Sequence, residues 1–158
     1  MKTLIVVESK HCGNTRKVAE AMAAGVPDTV VADTAQVKQY DLHDFALVGF
    51  GSGIYAGRFD GRIVRLVQSL CDKPANTFVF STSGGGDVAY NQSLIDLLQS
   101  RNKTVLGSFA CKGLDKFFIL RLTGGVNKGC PTDTDLHNAV SFLQNVQIKC
   151  AENPQEAS

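Results

Sequence analysis

Apolar residues along this chain gather into short continuous runs at Leu4-Val7, Thr29-Ala32, Phe45-Phe50, Thr77-Phe80 and Val105-Phe109, each rich in branched or aromatic side chains. Runs of this kind, without polar alternation, predict strands buried on both faces. Between them the apolar positions recur at three-and-four spacing, in Thr15/Val18/Ala19/Met22, Ile63/Leu66/Val67/Leu70, Leu94/Leu97/Leu98 and Leu136/Ala139/Val140/Leu143. Each set draws one stripe along an amphipathic helix. The crossover between Asp33 and Asp44 is short and only weakly helical. Strands alternating with helices in this way predict an α/β fold, a three-layer, doubly wound five-stranded parallel sheet with right-handed crossovers. Ligands of such sheets bind at the carboxyl ends of the strands, beside the point where strand order reverses. The residues just after each strand are therefore the informative ones.

After the first strand comes Ser9-Lys10-His11-Cys12-Gly13-Asn14-Thr15, and then a helix. The first amides of a helix lack intrahelical acceptors and lie at the positive end of its dipole, so an anion sits there favourably. Ser9 and Thr15 offer hydroxyl donors without charge, which suits a phosphate monoester that stays attached. An ordinary strand-to-helix turn capped by Asn14 or Thr15 fits the same residues. After the third strand come Gly49-Phe50-Gly51-Ser52-Gly53-Ile54-Tyr55-Ala56-Gly57-Arg58-Phe59, and after the fourth Ser81-Thr82-Ser83-Gly84-Gly85-Gly86-Asp87-Val88-Ala89-Tyr90. Both read as amide-rich loops whose glycines let backbone pass close to something and whose tips carry an aromatic side chain. Tyr55 and Tyr90 beside a phosphate turn would suit a flat heteroaromatic ring attached to that phosphate. Tyr90 also fits a helix residue facing the core.

A chain of 158 residues with 44% hydrophobic composition is enough for one substantial core. A single domain over residues 1–150 is expected, followed by a polar, disordered tail over 151–158. Sixteen basic and fifteen acidic side chains, scattered along the chain, leave no footprint for nucleic acid or an anionic membrane. No apolar run approaches membrane-spanning length and the opening apolar stretch is too short for a signal-peptide core, so a cytoplasmic protein is expected. Five cysteines without CxxC or CxxH spacing argue against a disulfide framework and a zinc site. Cys12, at an electropositive helix start, invites a nucleophile reading. The Cys-x5-Arg phosphatase pattern fails, because Val18 stands where the arginine would be. Cys111 and Cys130 flank a long segment in which Phe117-Phe118-Ile119-Leu120 is expected to pack as a short extra element. Asp133 is the expected N-cap of the last helix, with Pro131 ending the segment that precedes it.

With the Gly13-Asn14-Thr15 turn, the Gly51-Ser52-Gly53-Ile54-Tyr55 stretch and the Ser81-Thr82-Ser83-Gly84 stretch in place, the chain resembles the flavodoxin family from residue 1 to about 148. The resemblance implies the 2-1-3-4-5 strand order by which flavodoxins are known and one non-covalently bound FMN. It makes Ser9, His11, Gly13, Asn14 and Thr15 the phosphate cradle. Ser52, Gly53, Ile54 and Tyr55 become one wall of the ring site, and Ser81, Thr82, Ser83, Gly84, Gly85 and Gly86 the other, with Tyr90 covering the outer face of the ring. Two departures stand out. The turn is one residue longer than the usual Ser/Thr-x-Thr-Gly-x-Thr signature, and the formal net charge of +1 contrasts with the strongly acidic electron-carrier flavodoxins. The resemblance implies an electron-transfer protein, monomeric or weakly dimeric, passing electrons between redox partner proteins. The alternative is an FMN-dependent NAD(P)H:quinone or flavin reductase of the same fold, although no Gly-x-Gly-x-x-Gly follows a strand here.

Overall fold

A computed structural model describes residues 1–10, 12–72, 74–113 and 129–152. Its strands are β1 (Thr3–Glu8), β2 (Thr29–Ala32), β3 (Leu47–Tyr55), β4 (Arg58–Phe59), β5 (Asn76–Ser83) and β6 (Thr104–Lys112), and its helices α1 (Asn14–Gly25), α2 (Gly61–Gln68), α3 (Gln92–Ser100) and α4 (Asp133–Glu152). Five of the strands form a parallel sheet in the order β2-β1-β3-β5-β6, which is the expected 2-1-3-4-5 once the two-residue β4, antiparallel to the end of β3, is set aside. Chain order reverses between β1 and β3. There the carboxyl end of β1, at Glu8, lies in register with Ser52 of β3.

Side chains of the central strands alternate between two cores, one on each face of the sheet. Leu4, Val6, Val48, Phe50 and Val79 pack with Ile63 and Val67 of α2 and Leu94 and Leu98 of α3. Ile5, Val7, Leu47, Phe78 and Phe80 pack with Val18, Ala19 and Met22 of α1 and with Ala139, Leu143 and Val146 of α4. The weak crossover after β2 resolves into two 3-10 turns, Gln36–Gln39 and Leu42–Asp44, with Val37 as its buried anchor.

Several expectations change here. β3 runs from Leu47 to Tyr55, so Phe45 lies before it and most of the supposed glycine loop is strand. Ala56 and Gly57, with φ of 49° and 76°, then make a two-residue hairpin turn of the kind whose twist matches paired strands. β5 likewise takes in Ser81, Thr82 and Ser83. The glycines of β3 face a physical neighbour within the protein. A Cβ on Gly49 would fall 2.1 Å from the Phe78 ring, and one on Gly51 would fall 2.0 Å from the Phe80 ring.

At the last helix the cap is Thr132, one residue earlier than Asp133. Thr132 Oγ1 accepts from Asp135 N at 3.1 Å, while Thr132 N and Oγ1 donate to Asp135 Oδ2 at 2.8 Å, a reciprocal capping box. The helix continues through Ala151 and Glu152, where a tail was expected to begin. Residues 153–158, and the expected element at Phe117-Phe118-Ile119-Leu120, lie outside the described residues. Among the described residues no helix is long and apolar enough to cross a membrane.

Candidate functional site at the carboxyl ends of the strands

The turn after β1 delivers an open helix start. Cys12 and Gly13 both take left-handed backbone, at φ 56° and 66°, and Gly13 stands at the N-cap of α1 with no side chain capping the helix. The alternative of a cap from Asn14 or Thr15 is therefore not realised; both are the first residues of the helix itself. The first internal bond of α1 runs from Lys17 N to Gly13 O at 3.0 Å, so the amides ahead of it are directed out of the helix start. A Cβ on Gly13 would meet nothing within 4 Å, which leaves room above that end. Ser9 Oγ is buried with no hydrogen-bond partner among the described residues. His11 lies outside them.

Thr15 and Thr82 join this turn to the end of β5, their hydroxyls 2.8 Å apart. Ser81, on the opposite face of that strand, holds a second buried hydroxyl without a partner among the described residues. Buried polar atoms are normally paired, so two hydroxyls unmatched among the described residues, at the ends of the strands flanking β3, call for a ligand group or water. Ser83 is used internally: its hydroxyl accepts from Gly86 N at 2.8 Å and tightens the turn through Gly84 and Gly85. Gly86 has left-handed backbone at φ 66°, and a Cβ there would lie 3.0 Å from Lys112 N, so this turn is pressed against the end of β6. Tyr90 lies in a 3-10 turn, Val88–Asn91, where its side chain is exposed. It does not face the core. It stands by the β3–β4 hairpin, 3.8 Å from where a Cβ on Gly57 would be.

The hairpin forms the other wall. Ser52 does not offer its hydroxyl outward, since it donates to Gly53 O at 2.5 Å and accepts from Asp60 N at 2.9 Å. Ile54 is partly buried against the α2/α3 core. Tyr55 closes onto the first turn: its hydroxyl accepts from Lys10 N at 2.9 Å and donates to Lys10 O at 3.1 Å. Burial is the main cause that raises its phenol above the ordinary range, so it stays protonated at neutral pH and can donate a hydrogen bond. A Cβ on Gly53 would lie 2.6 Å from that hydroxyl, so only glycine lets the ring fold across in this way. The described residues expected to form a cradle and two walls thus lie around the β1, β3 and β5 ends, with Ser52 and Ser83 serving the frame.

A group of charges at the same end went unread in the sequence. Arg62, at the start of α2, forks onto Asp60 through Nε and Nη2 at 3.1 Å and reaches Glu8 Oε2 through Nη1 at 2.8 Å. Lys10 Nζ meets Asp60 Oδ2 at 3.0 Å, and Asp60 also accepts from Arg62 N as the cap of α2. Glu8 is closed off by Thr34, whose amide and hydroxyl both donate to Oε1. Hydrogen bonds from Arg62 lead the causes that hold the Asp60 carboxyl far below the usual carboxylate range. A depressed folded-state pKa stabilises the fold above the unfolded carboxyl pKa of about 4, and that stabilisation drains away as pH falls towards the folded value. The urea midpoint is therefore expected to drop between pH 6 and pH 3, and by less in Asp60→Asn; equal drops would contradict this.

Cys111 is buried in the α1/α4 core, and burial, with smaller contributions from the Asp135 and Cys130 charges, pushes its thiol up to about 12. It stays protonated and unreactive at neutral pH. Cys12 is exposed and pairs with no other cysteine.

The flavodoxin domain family matches this chain over residues 4–112. The chain belongs to the flavodoxin family. It is 32% identical over 151 residues to an uncharacterised protein of Methanocaldococcus jannaschii, covering 92% of this chain and 98% of that one. Among solved structures it resembles a flavodoxin from the domain Archaea, with a TM-score of 0.70 at 19% identity over 96% of this chain and 99% of the other. It also resembles a flavoprotein in complex with FMN from Lactobacillus acidophilus, with a TM-score of 0.56 at 18% identity over 68% of this chain and 91% of that one. At these identities the structural likeness speaks for the flavodoxin-like fold.

Proposed function

We propose that this protein binds one FMN without a covalent bond and carries electrons between redox partner proteins in the cytoplasm, as a monomer or weak dimer. The observation that carries the reading is the buried hydroxyl of Ser9, unmatched among the described residues, beside the uncapped start of α1 at the point where strand order reverses. A phosphate there would receive helix amides, the helix dipole and hydroxyl donors from Ser9 and Thr15, with His11 and Asn14 completing the cradle. Such a site, built from helix amides and uncharged hydroxyls, fits a ligand whose phosphate stays bound. The ring would lie between the Ser52-to-Tyr55 wall and the Ser81-to-Gly86 wall, with Tyr55, held across Lys10, facing it and Tyr90 at the rim. Bound flavin supplies one- and two-electron redox chemistry; the protein's share is to hold it, exclude water and set its electrostatics.

The purified protein is expected to be yellow, or to turn yellow on adding FMN. FMN at about a thousandfold excess over its dissociation constant should stabilise the fold by about 4 kcal/mol, read as a higher melting temperature. A colourless protein whose melting temperature ignores FMN would refute the proposal. Stopped-flow mixing of the loaded protein with NADPH then separates carrier from reductase, since only a reductase bleaches rapidly without a partner.

A further inference from the structure

Four charged side chains meet beside Tyr55 on the α2 side of the sheet: Glu8, Lys10, Asp60 and Arg62. Two cations face two anions, so the group sums to zero. Glu8 and Asp60 are 6% and 3% exposed, and carboxylates so placed persist as charges only when paired. The Arg62 guanidinium pairs with both carboxylates, and its backbone N–H donates to Asp60 as the cap of α2. The corner between β4 and α2 therefore needs nothing more to hold it.

Lys10 comes from elsewhere. It belongs to the turn that leads into α1, yet its side chain, half exposed, crosses to Asp60 and places its ammonium 5.5 Å from the centre of the Tyr55 ring. Its backbone is bonded through both N and O to the Tyr55 hydroxyl. One residue is thus clamped at both ends against the aromatic wall. The phenol of Tyr55 feels the charges of Asp60, Arg62 and Glu8, and the Lys10 ammonium lies against its ring, so the charges of this corner reach the wall.

We propose that Lys10 sets the charge of the ring wall: held by Asp60 and Tyr55, its ammonium balances the buried carboxylates, so that the wall is neutral when a bound flavin acquires negative charge. The proposal rests on the FMN reading above. The step concerned is the second one-electron reduction at neutral pH, in which a reduced viologen dye gives up one electron and the flavin gains it without a proton, ending one negative charge higher. Without the ammonium the same electron arrives beside a net negative group.

The test is dye-equilibrated potentiometry on the FMN-loaded protein, comparing wild type with Lys10→Met, Lys10→Arg and Asp60→Asn. Lys10→Met is expected to disfavour the second reduction about fivefold, the size of one screened charge at the edge of a site. At 59 mV per tenfold for a one-electron couple, that is a shift of about 40 mV to more negative potential. Asp60→Asn should shift the same couple to more positive potential, and high salt should shrink both differences. Loosening of the wall alone would move both variants in the same direction, and that result would overturn the proposal. Because Asp60 also caps α2, its variant could fail to fold. Lys10→Arg then decides, since it keeps the charge and should restore the wild-type potential; a value equal to that of Lys10→Met overturns the assignment. A protein that refuses FMN defeats the flavin reading and this proposal together, whereas one that binds FMN with unmoved potentials defeats this proposal alone.

Discussion

Gly51→Ala is expected to destabilise the protein by about 2–3 kcal/mol, the range for forcing extra volume into a packed core. The added Cβ would fall 2.0 Å from Cζ of Phe80 and within 2.5 Å of both Cε atoms, far inside van der Waals contact. The ring has nowhere to go. Phe80 is fully buried on a strand paired on both sides, and it stacks at 6.1 Å on Phe78, which in turn meets Phe142 edge-on at 5.9 Å. In urea titrations of the FMN-free protein the midpoint should fall with the slope unchanged. Gly85→Ala is the control, since a Cβ there meets nothing within 4 Å and the backbone is not left-handed. Equal midpoints for the two variants would show that β3 can yield where its contacts say it cannot.

That contact also explains how far the chain could be read in advance. The parallel sheet and the strand ends that matter were legible because buried strands and helical stripes leave periodic marks in the sequence, whereas the strand order was legible only through the resemblance to flavodoxins. Gly49 and Gly51 carried a true signal of close approach, but the body approaching is a pair of phenylalanines on β5, not a ligand. Residue type tells that space is needed; only register tells what fills it. Gly49 faces Phe78 and Gly51 faces Phe80 across the ladder, and that pairing depends on an entire crossover through α2. For the same reason the extension of β3 to Tyr55 was hidden: Ala56-Gly57 is a poor match to the Asn-Gly signal of a two-residue hairpin, and its left-handed alanine is held by the strands on either side. The quartet of Glu8, Lys10, Asp60 and Arg62 joins positions some fifty residues apart, and scattered charges of both signs give no local hint of it. Thr132 was more nearly visible. Thr-x-x-Asp before an apolar stripe is a variant of the capping-box spacing, and the neighbouring Asp133 drew attention away from it.

Ser9→Ala is expected to act in opposite directions on the empty and the loaded protein. Its hydroxyl oxygen is buried and without a partner among the described residues, so in the FMN-free protein its removal takes away an unmet polar group. Stability there should hold or rise by up to about 1 kcal/mol. Hydrogen bonds to a charged group are worth about 1.5–3 kcal/mol, so losing one to the phosphate should weaken FMN binding roughly tenfold to a hundredfold. Riboflavin, which has the ring but no phosphate, should bind both proteins alike. Thr15→Val makes the contrast plain, because Thr15 already shares a hydrogen bond with Thr82 and its loss should weaken the empty protein as well. Fluorescence titrations with FMN and riboflavin, run beside urea unfolding of the same samples, separate these effects. If Ser9→Ala weakens riboflavin as much as FMN, the hydroxyl serves the wall or the backbone, and the cradle at the start of α1 must be built without it.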